Sequence, residues 1–180
     1  TDFDLVELGD DQISRLLSEA PDLMMAYDPA KIPNLEKVSA RTPNGPEFFM
    51  AYRGTTVVMA YNSKNVPEPP KTTEELTAWI KANPGRFSYN TPGTGGSGDS
   101  FARTSVYNLL PDEAFMSNDP KWEAEWDPGF AYLAEIHPFL YKSSGRVVYP
   151  NKNQGTLDLL AEGQIDMTPA WADMTLSQLQ

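Results

Sequence analysis

The sequence predicts an α/β fold. Short β-branched apolar runs alternate with segments of helical period, and proline and glycine punctuate the connections between them. The stretch Tyr52 to Ile80 shows this most clearly. Thr55 to Tyr61 (TTVVMAY) is an apolar run of strand length bounded by Gly54 and Asn62. Pro67, Pro69 and Pro70 cannot continue a ladder and keep the following residues extended. Thr72 with Glu75 forms a capping box, Leu76, Trp79 and Ile80 share one helical face, and Asn83-Pro84-Gly85 ends the helix.

The other elements follow in chain order. Phe3 to Leu8 (FDLVEL) predicts a buried parallel strand, and Ile13, Leu16 and Leu17 a short helix ending near Pro21. Asp10 and Asp11 suit capping of that helix, with a reach toward a ligand as the alternative use. Met24 to Val38 is irregular, and Arg41 to Pro46 (RTPNGP) is a turn-rich loop. Phe48 to Tyr61 reads as extended, with a hinge at Arg53-Gly54 where glycine permits the dihedral change. Arg86 to Asn90 predicts a strand and Thr91 to Ser100 (TPGTGGSGDS) a glycine-rich loop. The next helix is expected to begin near Asp99 or Ser100, with Phe101, Val106, Leu109 and Leu110 inward. Trp122 to Leu140 predicts helix broken at Asp127-Pro128-Gly129, with Phe130, Leu133, Ile136 and His137 on its later buried face. Asn153 to Ala161 predicts a helix and Ile165 to Thr168 a strand. Pro169-Ala170-Trp171 turns into a last helix through Met174, Leu176 and Leu179.

Composition narrows the function classes. The chain has 180 residues with 40% hydrophobic residues, enough for one large domain or two small ones with a buried core. A formal net charge of -11 disfavours nucleic acid, whose phosphates require Lys and Arg, and disfavours an anionic membrane surface. The absence of cysteine excludes disulfides, thiolate metal sites and a cysteine nucleophile. A single histidine, His137, leaves no partner for a zinc or facial-triad site, so no metal or cofactor is expected. No G-x-S-x-G elbow occurs, and the two-residue spacing of Glu123, Glu125 and Asp127 does not converge on a helix, so no catalytic group is expected. The chain begins at Thr1, from which removal of an upstream segment is expected.

The order of parts from Tyr52 onward resembles the crossover of bacterial extracellular solute-binding proteins, the ligand receptors of ABC importers. The residues carrying the likeness are Ala60-Tyr61-Asn62 before Pro69-Pro70-Lys71-Thr72, then Gly155 to Trp171 (GTLDLLAEGQIDMTPAW), and Asp4-Leu5-Val6 with Gly9-Asp10. Tyr52-Arg53-Gly54-Thr55-Thr56, Ala82 to Phe87 and Asn90-Thr91-Pro92 are similar to a subgroup with iron-, thiamine- or polyamine-like character. The resemblance implies a periplasmic-binding-protein-like lobe of type II-like topology: a central mixed or parallel sheet flanked by helices. Such receptors need about twice this length. The chain therefore looks like an excised middle portion, with 1–54 a remnant of the first lobe and hinge and 55–180 the second lobe. Apolar faces left by the incomplete first lobe would favour a homodimer or strand exchange.

The resemblance places several residues at a ligand cleft. Gly93 to Ser100 superficially matches a phosphate loop, but Asp99 stands where the lysine belongs and repels phosphate. Gly95, Gly96, Ser97, Asp99 and Ser100 are instead candidates for contacting a polar ligand group, or else form a turn whose Asp99 or Ser100 caps the helix. Trp171 offers a stacking face and Asp173 a carboxylate, with core packing as the alternative for Trp171. Tyr52 and Arg53 lie at the hinge, where Arg53 either grips a ligand anion or bridges the lobes. Tyr89 and Asn90 end a strand facing the loop, for contact or for packing.

The function these residues suggest is non-enzymatic. It is capture of a small polar solute by hinge closure and delivery to an ABC permease, in the periplasm or outside the cell. A membrane anchor on the full-length parent is compatible with this. The rivals are a transferase-like α/β enzyme, which needs a convergent nucleophile and base, and an isolated protein-interaction domain, which needs Ser97 and Trp171 to lie far apart.

Overall fold

The computed structural model describes residues 5–39, 46–51, 53–117 and 119–178. Two compact units make up the chain, Thr1–Gly54 and Thr55–Gln180.

The first unit holds helix α1, Asp10–Glu19. Its first turn closes when the Gly9 N–H donates to Gln12 Oε1 and the Gln12 N–H donates to the Gly9 carbonyl, both at 3.0 Å. Ile13 is its buried residue, at 5% exposure. Gly9 precedes the helix, so Asp10 and Asp11 are its first two residues; their side chains lie outside those described. Short 3₁₀ turns follow at Pro21–Leu23, Pro29–Lys31 and Leu35–Lys37. The strand expected over Phe3 to Leu8 is not formed in its described part. Residues 5–9 are irregular, and Leu5 and Val6 are 93% and 56% exposed. A strand exists only against a partner ladder, and the described residues supply none here. Phe3 and Asp4 lie outside the described residues, as do 41–45 of the turn-rich loop.

The second unit begins with strand β1, Val57–Tyr61. Helix α2, Thr73–Ala82, starts where the sequence places it: Thr72 Oγ1 accepts from the Glu75 N–H at 3.2 Å, and Glu75 Oε2 accepts from the Lys71 N–H. Thr72→Ala should lower the unfolding free energy by about 1 kcal/mol, measured as a shift of the urea midpoint. Helix α3 spans Ser97–Tyr107 and α4 Asp127–Ile136. A tight hairpin joins β2, Lys142–Ser143, to β3, Arg146–Val147. Its turn residues Ser144 and Gly145 both have positive φ, 51° and 78°, as a two-residue primed turn requires. Helix α5 is Lys152–Ala161, strand β4 is Met167–Trp171, and α6 is Ala172–Ser177.

Strand β4 is the centre of this unit. It pairs antiparallel with β1, Val57 opposite Trp171 and Tyr61 opposite Met167. On its other side Phe87 makes a parallel bridge to Met167. The strand expected at Arg86 to Asn90 is reduced to that bridge, because side chains rather than a ladder bind its end to β4. Ile80, Phe87, Ile136 and Met167 are fully buried in the main core cluster, and each contributes about 1.5–3 kcal/mol of burial.

Several expected boundaries shift for identifiable reasons. Helix α3 begins at Ser97, not at Asp99 or Ser100, and ends at Tyr107, which leaves Leu109 55% exposed. Residues Pro120–Glu125 form a 3₁₀ segment, and α4 starts at Asp127. Gly129 and Ile136, seven apart, face inward, which turns Phe130 out to 53% exposure. Pro169 lies inside β4 rather than in a turn. Asp166 accepts from the Asn62 N–H on the β1 side, whereas the Met167 N–H donates to the Arg86 carbonyl on the opposite side. By the two-residue alternation, Pro169 faces away from β1, so its missing N–H costs that ladder nothing.

Candidate functional site

Three parts of the second unit end at one buried junction: residues 86–90, the start of α3 and strand β4. Asn90 and Ser97 are both fully buried. Asn90 Oδ1 accepts from the Gly98 N–H at 2.6 Å. Ser97 Oγ lies 2.7 Å from the Pro169 carbonyl and 3.0 Å from Asn90 Oδ1, its one proton shared between two acceptors. The Ser97 N–H donates to Oδ1 of Asn153, from the first turn of α5, at 2.7 Å. The first amides of α3 are thus satisfied by two side chains from outside the helix, one of them 56 positions away.

Glycine is required at two places here. A Cβ on Gly96 would stand 2.0 Å from Asn90 Nδ2, and one on Gly98 1.8 Å from the Asn90 carbonyl oxygen. The loop in front is exposed at Gly93 and Gly95, whose φ angles are 79° and 80°. Thr94 Oγ1 donates to the Thr91 carbonyl at 2.6 Å, and Thr91 Oγ1 donates to the Tyr149 and Pro150 carbonyls.

The expected site residues fall into two groups. Tyr89, Asn90, Gly96 and Ser97 are buried, so they shape the junction rather than its surface. Tyr89 packs between Phe101 and Tyr149, ring centroids 4.9 and 5.0 Å away. Burial, then its hydrogen bond with Tyr149, pushes its phenol far above the usual range. The second group reaches solvent. Asp99 does not cap the helix; it accepts from the Gly93 N–H at 3.3 Å and pairs with Arg103 at 3.2 Å. Ser100 is half-buried in the first turn of α3, and Gly95 is exposed in the loop before it. Trp171, half-buried, ends β4 two residues after the Pro169 carbonyl that Ser97 holds. Asp173 is exposed in α6 and accepts from Thr55 Oγ1 at 2.8 Å. The glycine loop and Trp171 therefore occupy one neighbourhood, and the separation that an isolated interaction domain required is not found.

The hinge candidates lie in the first unit. Arg53 makes an exposed ion pair with Glu7 at 2.9 Å. Tyr52 lies outside the described residues. His137 is exposed, its Nδ1 2.7 Å from the Tyr149 hydroxyl. Among the described residues no group of three His, Cys, Asp or Glu is placed to hold a metal ion.

Sequence reasoning passed over two features. Asn153 read only as the start of a helix. Asp166, 7% exposed, takes two hydrogen bonds from Arg86, at 2.6 and 2.7 Å, and a third from Asn65 at 2.7 Å. These hold the carboxyl of Asp166 below its usual range, Arg86 contributing most and burial opposing. An acid just ahead of a buried strand, with an arginine opening the neighbouring segment, was the available signal. Two concavities, of about 630 and 270 Å³, lie elsewhere, at Pro67–Lys71 with Trp79 and at Pro84–Gly85 with Pro138 to Lys142. Neither includes a candidate residue.

The sequence profile described as bacterial extracellular solute-binding protein matches residues 1–177. The chain belongs to that family. Among curated proteins, YnjB of Escherichia coli (strain K12) is 26% identical over 138 residues, covering 71% of this chain and 35% of YnjB. A solved structure from Bordetella parapertussis, provisionally named an extracellular solute-binding protein, superposes with a TM-score of 0.60 at 16% identity. It covers 91% of this family member and 46% of the Bordetella chain. An ABC transporter structure from Clostridium perfringens gives 0.55 at 16% identity, over 82% and 42% of the two chains. The fold is that of solute-binding proteins, and this family member spans less than half the length of each of these three relatives.

Proposed function

We propose that this chain is part of the solute-binding component of an ABC importer, with Thr55–Gln180 as its second lobe and 1–54 as a remnant of the first lobe with the hinge. The observation that carries this is the Ser97–Pro169 contact at 2.7 Å, which brings the glycine-rich loop and the end of β4 to one edge. Gly95, Asp99, Ser100, Trp171 and Asp173 are the ligand-facing residues there, and Tyr89, Asn90, Gly96 and Ser97 support them from beneath. Tyr52 and Arg53 contribute from the hinge.

The function is binding without catalysis, in the periplasm or outside the cell, followed by delivery to a membrane permease. No helix of the described residues is long and apolar enough to cross a membrane. Closure follows from differential affinity: a solute that contacts both lobes stabilises the closed form more than the open one and shifts the population toward it.

The chemistry of this edge favours a cationic or neutral polar solute. The Ser97 and Gly98 amides, which could have received an anion, are already bonded to Asn153 and Asn90. What reaches solvent is the carboxylate of Asp99, paired with Arg103, that of Asp173, which accepts from Thr55, and part of Trp171, a set to which an aromatic ring adds attraction for an organic cation. The test is calorimetric titration of the full-length parent with spermidine and thiamine as cationic probes and glutamate as the anionic one, followed by small-angle scattering. A cationic probe should bind saturably and compact the protein. Trp171→Ala should weaken that binding about tenfold. Failure of every solute class to bind or compact the parent would overturn the transport assignment.

A further inference from the structure

We infer that Asn90 and Asn153 are positioning residues: by seating the first amides of α3, they fix the shape of the glycine-rich loop before any solute arrives. This rests on the loop being ligand-facing, as proposed above, but its structural half can be tested alone.

Helix α3 has no cap of its own, because Gly96 precedes it and carries no side-chain acceptor. Its amides would otherwise need water, yet Ser97 and Gly98 are buried. The acceptors come instead from two other places in the chain, residue 90 and residue 153. In each case the donor dictates the amide orientation: a backbone N–H faces Oδ1, not Nδ2. Asn153 is 7% exposed and Asn90 fully buried, so neither touches a solute itself. Both act through the loop. Its far end is tied by Thr91, whose N–H donates to the Pro150 carbonyl at 2.9 Å and whose Oγ1 bonds the neighbouring carbonyls. Residues 92–96 are therefore clamped at both ends, and each clamp reaches the segment 149–153. That segment includes Lys152 with φ 54°, a left-handed conformation rare outside glycine and asparagine, immediately before Asn153. The backbone bends into that conformation at the place where Asn153 is aimed at Ser97. A loop held this way loses less freedom when a solute binds, which raises affinity without adding a contact.

The experiment compares Asn153→Ala, Asn153→Asp and Ile80→Val in the 180-residue chain by amide hydrogen exchange. Asn153→Asp keeps the Oδ1 acceptor, whereas Ile80→Val trims a buried core side chain and leaves both asparagine hydrogen bonds in place. Asn153→Ala should speed exchange of the Gly93 to Ser97 amides at least tenfold, Asn153→Asp should restore slow exchange, and Ile80→Val should leave the loop unchanged. Equal loop exchange in Asn153→Ala and wild type overturns the inference. So does acceleration in all three variants alike, which would mark Asn153 as a general stability residue. In the full-length parent, Asn153→Ala should weaken spermidine binding about fivefold, and Asn153→Asp should restore it. A wild-type parent that ignores spermidine counts against the cationic solute, and the exchange comparison still decides the positioning role.

Discussion

Gly98→Ala is expected to unfold the Thr55–Gln180 unit or leave it barely stable. The added methyl would lie 1.8 Å from the Asn90 carbonyl oxygen and 2.7 Å from its carbon. These are backbone atoms, with no flexible end to swing aside. Relief requires α3 to withdraw from residue 90, which breaks the Asn90–Gly98, Ser97–Pro169 and Ser97–Asn153 hydrogen bonds together. Overpacking costs about 1–3 kcal/mol by itself, and each buried donor or acceptor left without a partner costs about 1–3 kcal/mol more. Alanine's helix propensity returns only about 1 kcal/mol against that sum. Gly95→Ala is the informative comparison. Its Cβ would meet open space but φ is 80°, so the loss should be about 1–2 kcal/mol. Circular dichroism in urea measures both, and a Gly98→Ala midpoint equal to wild type would refute the close seating of α3 on residue 90.

Arg86→Met should be the second most damaging substitution, and its cost should depend on pH. It removes two hydrogen bonds from the Asp166 carboxylate and leaves that group with Asn65 alone. Removing one partner of a buried pair costs about 3–5 kcal/mol; the side chain of Arg86 is 35% exposed and that of Asp166 9%, which places the loss at about 2 kcal/mol. In the wild type the Asp166 pKa is lowered, mainly by Arg86. Its contribution is thus present above the unfolded carboxylate value, about 3.9, and disappears as pH falls through the lower folded value. In Arg86→Met, burial acts without that opposition and moves the Asp166 pKa upward. The variant is then penalised most at neutral pH and recovers as acid protonates the carboxyl. The gap between the two proteins should narrow from pH 7 to pH 3 in thermal unfolding. A gap constant across that range would show that the guanidinium contributes packing only.

The helical part of the fold was legible because its signals are local. Thr72 and Glu75 cap α2 as their spacing requires, and Ile80 and Ile136 lie on the inward faces that periodicity assigns. The strands were less legible because a strand is completed by a distant partner. Leu5 to Leu8 has the composition of a strand and forms none in the described residues, whereas Pro169 has the composition of a turn and sits in β4. The candidate site's surroundings were half legible. Glycine content marked the loop, and the tryptophan after β4 marked the other border. What could not be read was which polar side chains face inward. Asn90 and Ser97 look from sequence like ligand groups, yet both are buried, bonded to each other, with Ser97 also bonded to Pro169, 72 positions away. Asn153 carried no local mark, since its acceptor serves a residue 56 positions away.

Holding α3 from below has a further effect on how the loop above it tolerates substitution. The anchoring atoms at residues 90, 97 and 153 are shielded from solvent, whereas Thr94, Gly95, Asp99 and Ser100 sit on the outer rim. Ser100 can be exchanged without breaking the three buried hydrogen bonds beneath it, whereas Thr94, Gly95 and Asp99 also hold the loop's own shape, through the Thr91 carbonyl, a φ of 80° and the Gly93 N–H. Under the binding role proposed above, a change of ligand preference falls on the solvent-facing side chains, while Asn90, Ser97 and Asn153 stay fixed.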